Sequence, residues 1–353
     1  MENQRISSLH DDIYVPKATQ HLGEYSDYPV RFDVSEKSVI TRLEQFGINL
    51  EAVNAEFGKE VKDLSWKEYN ELLAQAIRTK YDVIIASVFD QYIFPTNEDP
   101  STAIRRSKMF NLIEQFRDMD ARCGVTLVKR KADIKEGGNI VLSLEAGAHL
   151  IQSMEDLKII AEADVKLFGF QYGEDTPLAT SEGLTTLGKE AVSYLVNNNL
   201  IVDLAHSGEK TRQGIMSIAE DEGRGHLISY THGSTEDDLM SGNKERVLTK
   251  EEVKRIVRMD GIIGLGVTEP FFSGARGIAE RIYDIAQLDG GIHRVAIGTD
   301  FGGVSPSEMK EIKSIDDFYK LADILADDFN MNDLDIDRVL RANVRKWIQE
   351  AID

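Results

Sequence analysis

The sequence predicts an α/β protein built as a closed (β/α)8 TIM barrel, with a long helical insertion after the first strand. Three observations predict it. Eight short apolar runs alternate with amphipathic helical stretches, the pattern of a parallel sheet with helical crossovers. Several of those runs end on a metal-binding residue type, and chemistry collects at the carboxyl ends of strands in such folds. A chain of 353 residues, 42% hydrophobic, can bury one large core, so residues 1–353 read as a single barrel domain.

The strand runs centre on Ile6 to Leu9, Val83 to Phe89, Ile140 to Leu144, Val165 to Phe170, Leu200 to Leu204, Leu227 to Thr231, Gly261 to Val267 and Val295 to Thr299. Helical patterns lie between them at Thr186 to Asn197, Lys210 to Asp221 and Glu251 to Arg258. The last is opened by Thr249 with Glu252 three residues on, a capping box. The first connection, Asp12 to Asp82, carries helical patterns at Glu36 to Phe46 and Trp66 to Thr79, and is expected to fold over one end of the barrel. Val125 to Val128 is a ninth apolar run, short and followed by Lys129-Arg130-Lys131, so it counts as an accessory strand. The stretches Gly173 to Gly183 and Thr268 to Arg276 read as loops at the active-site face.

Charge and composition narrow the partners. A formal charge of -20, from 61 acidic and 41 basic side chains, repels phosphate backbones and anionic lipid, which argues against nucleic acid or a membrane surface. The single cysteine, Cys123, forms no intramolecular disulfide and builds no cysteine zinc cluster; it reads as a packed helical side chain. No apolar run has the length of a signal peptide or a bilayer span, so a soluble cytoplasmic protein is expected.

The chemistry rests on His10, Asp12, Glu145, His206 and His232. Three imidazoles, an aspartate and a glutamate able to bridge are nitrogen and oxygen ligands suited to zinc or a similar divalent ion, with room for two ions. His10 and Asp12 sit two residues apart on an extended segment and so project to one face. A metal lowers the pKa of the water that attacks a scissile carbonyl. Asp300, at the end of the last strand, can take the proton of that water and pass it to the leaving amine. Each residue also has a plainer explanation: a histidine at a strand end can satisfy backbone groups, and Asp300 can organise the Gly298-Thr-Asp-Phe-Gly-Gly303 turn. His21, His149, His226 and His293 read as structural or surface residues.

The ordered set Leu184-Thr-Thr-Leu-Gly-Lys-Glu190, Asp203-Leu-Ala-His206, Tyr230-Thr-His232, Arg246 before Leu248-Thr249, Gly261-Ile-Ile-Gly264 and Ile297-Gly-Thr-Asp-Phe-Gly-Gly303 resembles the signature of the membrane (renal) dipeptidase family. The match in order and spacing runs from about Val165 to Arg345. Upstream, the likeness lies in His10-Asp-Asp12, Ala86-Ser-Val-Phe89 and Glu145-Ala-Gly147.

The resemblance implies a (β/α)8 barrel with a binuclear zinc site that hydrolyses dipeptides. On that pattern His10, Asp12 and Glu145 hold one zinc while Glu145, His206 and His232 hold the other. Arg246 binds the substrate's C-terminal carboxylate, for which its fork of donors is shaped, unless it forms a surface ion pair with Glu245 or Glu251. Asp300 is the acid and base. A homodimer is implied as well.

This chain departs from the pattern at several positions. Leu9 stands where the family has glycine, Val247 follows Arg246 where the family has asparagine, and Asp300-Phe-Gly-Gly replaces Asp-Phe-Asp-Gly. Aligning Thr176-Pro177 with the family's Thr-Pro places Tyr172 where the family has a histidine at the end of the fourth strand. A tyrosine hydroxyl there can donate to a developing oxyanion, or the ring can simply pack at the barrel mouth. The leading expectation is therefore a zinc-dependent dipeptidase. Hydrolysis of another small amide or lactone, and a non-catalytic metal-binding barrel, stand as alternatives.

Overall fold

The computed structural model describes residues 5–11, 43–51, 53, 58, 64, 66–88, 102–173, 175–236, 247–268, 272–303 and 309–352. Eight parallel strands follow one another around the sheet in chain order: β1 (Ile6–Asp11), β2 (Tyr81–Ser87), β3 (Asn139–Leu144), β4 (Val165–Gly169), β5 (Ile201–Asp203), β6 (Ile228–Tyr230), β7 (Ile262–Leu265) and β8 (Val295–Ile297). β8 comes back beside β1, and the fold is a (β/α)8 barrel. All eight predicted runs carry a strand. The accessory run is the strand Thr126–Leu127, which pairs with β3 outside the barrel order.

These runs are strands because they are short, β-branched and buried on both faces, as a parallel sheet covered by helices requires. Every residue of β2, β3, β6, β7 and β8 is buried. Neighbouring strands pair in regular register along β7 and β8, with Ile263 opposite Val295 and Leu265 opposite Ile297.

The crossovers are α1 (Trp66–Lys80), α2 (Thr102–Cys123), α3 (Met154–Glu162), α4 (Thr186–Asn197), α5 (Glu209–Asp221), α6 (Lys250–Arg258) and α7 (Ala275–Ala286). Their starts are set locally. Ser153 and Thr185 cap α3 and α4 by accepting from Asp156 N and Gly188 N. Thr249 and Glu252 form the predicted capping box of α6. The chain ends with α8 (Phe318–Asp327), α9 (Asp333–Asp337) and α10 (Asn343–Ala351), the last two joined by a π-helical turn, Arg338–Ala342. That turn and α10 both lie against β1 and β8, so the C-terminal segment covers the seam where the barrel closes. Trp347 anchors it, donating from Nε1 to His226 O at 2.7 Å.

Two of the predicted loops are more ordered than their sequence suggests. The stretch from Gly173 to Gly183 contains a small antiparallel hairpin that pairs Ala179 with Leu184, and α7 already begins at Ala275. Within the insertion after β1, Leu43, Phe46, Val53 and Leu64 join the hydrophobic core, and Gln45, 1% exposed, accepts from Gly302 N at 2.9 Å in the turn after β8. Among the described residues no helix is long and apolar enough to cross a membrane.

Candidate active site

The carboxyl ends of β3, β5 and β6 bring three of the predicted ligands together. Glu145 directly follows β3 and is 4% exposed; His232 lies just past β6 and is 6% exposed; His206 lies three residues past β5. His206 Nε2 is 2.9 Å from Glu145 Oε1, His232 Nε2 is 3.6 Å from the same oxygen, and the two Nε2 atoms are 2.8 Å apart. Zinc held at about 2.0–2.1 Å in tetrahedral directions sets its ligand atoms about 3.3 Å apart. The three observed separations bracket that value. One carboxylate and two imidazoles converging in this way fit a divalent ion.

The backbone is unusual at two of the predicted site residues. His206 and Asp300 both take left-handed conformations, with φ of 59° and 55°. Such a conformation is costly for a residue other than glycine, and it recurs where a side chain must be aimed at a site. Close approach of neighbouring strand ends does the rest. A Cβ on Gly298 would lie 1.8 Å from Thr231 O and 3.1 Å from His232 Cα, so only glycine lets β8 pass so near the His232 turn.

A second layer of polar groups holds the cluster. Ser87, at the end of β2, donates from Oγ to Glu145 Oε2 at 3.2 Å. Thr231 Oγ1 is 3.1 Å from His232 Nδ1, and that same hydroxyl donates to Asp203 Oδ2 at 2.6 Å. The Tyr172 ring stacks on His206. Gln171 Oε1 accepts from Gly208 N at 3.1 Å and so ties the loop after β4 to the start of α5.

Behind His206 lies a buried ion pair. Arg212 on α5 meets Glu252 on α6 through Nε to Oε1 at 2.8 Å and Nη2 to Oε2 at 2.9 Å, the two side chains being 1% and 0% exposed. Arg212 also donates to Ser207 O at 2.6 Å and Val247 O at 3.0 Å. One guanidinium thus fixes the residue after His206 and the residue after Arg246.

The other expected site residues fall as follows. His10 lies on β1, beside β2 in the sheet. Asp12 and Arg246 lie outside the described residues, as does His21. Asp300 lies three residues past β8, half-buried, with its carbonyl accepting from Gly303 N at 3.1 Å. Cys123 closes α2, where burial raises its thiol pKa. Sequence reasoning did not single out Ser87, Asp203, Thr231, Arg212 or Gln45 for the site. Ser87 and Asp203 stand inside the strand-end motifs, and that placement was the available signal.

Comparison with known proteins agrees with this geometry. Residues 52–352 match the family described as membrane dipeptidase, peptidase family M19, a span that contains Glu145, Tyr172, His206, His232, Arg246 and Asp300 and begins after His10 and Asp12. No curated protein matches the chain significantly. Among solved structures, a metallopeptidase from Rhodobacter sphaeroides, liganded with a phosphinate mimic of the dipeptide L-Ala-D-Ala, is similar with a TM-score of 0.69 at 14% identity over 99% of each chain. A metallopeptidase described as dipeptidase AC of family M19 shows the same TM-score, identity and coverage. A probable dipeptidase, PvdM, from Pseudomonas aeruginosa has a TM-score of 0.65 at 16% identity, covering 78% of this chain and 86% of its own. These structural likenesses speak for the barrel, and the sequence match carries the kinship. The chain belongs to the membrane dipeptidase family, peptidase family M19, and is a metal-dependent hydrolase.

Proposed function

We propose that this protein hydrolyses the amide bond of dipeptides or close dipeptide analogues, with zinc as its metal. The observation that supports the reading most is the convergence of Glu145, His206 and His232 at the carboxyl ends of three neighbouring strands. These three residues would hold one ion. Glu145 would share a second with His10 and Asp12. Bound there, zinc supplies Lewis acidity for the scissile carbonyl and acidifies the attacking water.

The chain's own residues supply the remainder. Asp300 accepts a proton from the attacking water as its oxygen bonds to the carbonyl carbon, and returns that proton to the amine nitrogen as the C–N bond breaks. Arg246 pairs with the substrate's C-terminal carboxylate. The Tyr172 hydroxyl donates to the oxygen that becomes negative in the transition state. Glu145 and Asp300 are thereby given different tasks, one holding metal and the other moving protons.

Tyr172 also favours a second reading. Its ring covers one face of His206 and stands where the family has a histidine, a departure that supports another small amide or a lactone as the substrate in place of an ordinary dipeptide. A soluble cytoplasmic homodimer without membrane or nucleic-acid partners completes the proposal.

The test is hydrolysis of a mixed dipeptide library before and after chelation, with metal content measured on the same sample. Chelator-sensitive release of amino acids, restored by zinc, is the expected result. Bound metal without cleavage of any dipeptide would move the assignment to the second reading.

A further inference from the structure

The hydrogen bonds behind His232 determine where its ring proton sits. Asp203, 2% exposed at the end of β5, is surrounded by donors. Its Oδ1 accepts from Thr231 N at 2.9 Å, Ser229 Oγ at 3.2 Å and Ala205 N at 3.3 Å, and its Oδ2 accepts from Thr231 Oγ1 at 2.6 Å. A hydroxyl has one proton to donate. The 2.6 Å contact to a carboxylate is much shorter than the 3.1 Å contact to the ring, so the Thr231 proton points at Asp203. Toward His232 Nδ1 the same oxygen can then only accept.

We infer that Asp203 and Thr231 are positioning residues, a two-member relay that holds His232 in the tautomer protonated on Nδ1. The Nε2 lone pair is thereby left facing Glu145 and His206, where a metal needs it. The inference rests on reading the Glu145, His206 and His232 cluster as a metal site. It adds what makes one of those ligands competent before any ion arrives. The opposite tautomer would need a proton on Asp203 Oδ2 and a reversed hydroxyl.

Substitution at Asp203 should reverse the relay. In Asp203→Asn the amide oxygen belongs at the Oδ1 position, since the two backbone N–H groups there can only donate. The amide nitrogen then takes the Oδ2 position and donates to Thr231 Oγ1, which turns its proton to His232 Nδ1. The ring is left protonated on Nε2, and the lone pair is blocked. Thr231→Val removes the hydroxyl at nearly constant shape, while Thr231→Ser keeps it.

The experiment titrates zinc into metal-free protein against a chromophoric chelator, with the 15N ring signals of the metal-free wild type read by NMR. The expected result is a loss of about 10- to 100-fold in zinc affinity for Asp203→Asn and Thr231→Val, near wild-type affinity for Thr231→Ser, and a proton on Nδ1 of His232. If Asp203→Asn does not fold, the two Thr231 variants and the ring signals decide. Unchanged zinc affinity in Thr231→Val, or a ring proton on Nε2 of the metal-free wild type, overturns the relay. His232→Ala separates the two ways of failing: if it binds zinc as the wild type does, the metal-site reading itself falls, and the relay with it.

Discussion

The Tyr172 ring lies stacked on the imidazole of His206, with centroids 4.2 Å apart and planes inclined by 27°. The ring and the hydroxyl therefore have separable consequences. Tyr172→Phe keeps the stack and removes the donor, and is expected to lower kcat/KM by about 10²-fold or more while metal content stays at the wild-type level. Steady-state kinetics alongside elemental analysis checks this. A Phe variant of full activity would reduce Tyr172 to packing.

Asp300 allows a clean substitution. Its left-handed backbone suits asparagine at least as well as aspartate, so Asp300→Asn removes the proposed proton carrier with little added strain. Turnover should fall by about 10²- to 10⁴-fold with metal retained. Retained hydrolysis at full rate would remove Asp300 from the proton path.

The Arg212 and Glu252 pair is expected to dominate local stability. Both side chains are sealed from water, and Arg212→Met would leave the Glu252 carboxylate buried without its cation. The cost should be about 3–5 kcal/mol, read as a shift of the urea midpoint. Arg212→Met combined with Glu252→Leu should recover part of that loss and not all of it, because Glu252 also caps α6. Since Arg212 holds the Ser207 and Val247 carbonyls, the single variant should raise KM as well.

His149 predicts a pH dependence of folding. Burial, and then the neighbouring Arg105 guanidinium, hold its imidazole pKa down to about 4, against 6.5 for the free side chain. Its Nε2 is buried with no hydrogen-bond partner among the described residues. The unfolded chain therefore binds the extra proton first. The stability that comes from keeping His149 neutral is complete above about pH 6.5, and it is lost as pH falls from there through about 4. With solvent screening at the exposed edge of the ring, the loss should be on the order of 1–3 kcal/mol. Urea denaturation at pH 7 and pH 5 samples it, and His149→Leu should reduce the difference, leaving the share of His226 and His293, whose pKa values burial also lowers. An equal slope in that variant would place the effect on other groups.

Much of the barrel is legible in the sequence because its signals are local. The helical pattern of Thr186 to Asn197 coincides with α4, and the Thr249 and Glu252 box opens α6 as its spacing indicates. Glu145, His206 and His232 stand out because each follows a strand run, and strand ends in this fold share one face. What stays hidden is set by tertiary contact. Gln45 meets Gly302 across 257 residues, which no periodicity encodes. Asp203 looks like one more residue of a buried strand until Thr231 and Ser229 are seen to donate to it. The hairpin of Ala179–Thr180 with Gly183–Leu184 has strands of two residues, too short to carry a period.

The metal-binding role proposed for Glu145, His206 and His232 is decided by the metal content and zinc affinity of the protein purified without added metal, compared with its Glu145→Gln, His206→Ala and His232→Ala variants. Divalent metal bound to the wild type is expected, with a loss of bound metal and of zinc affinity in each variant and circular dichroism showing the fold retained. Folded variants that bind as much zinc as the wild type, or a wild type that takes up no zinc when it is supplied, would contradict it.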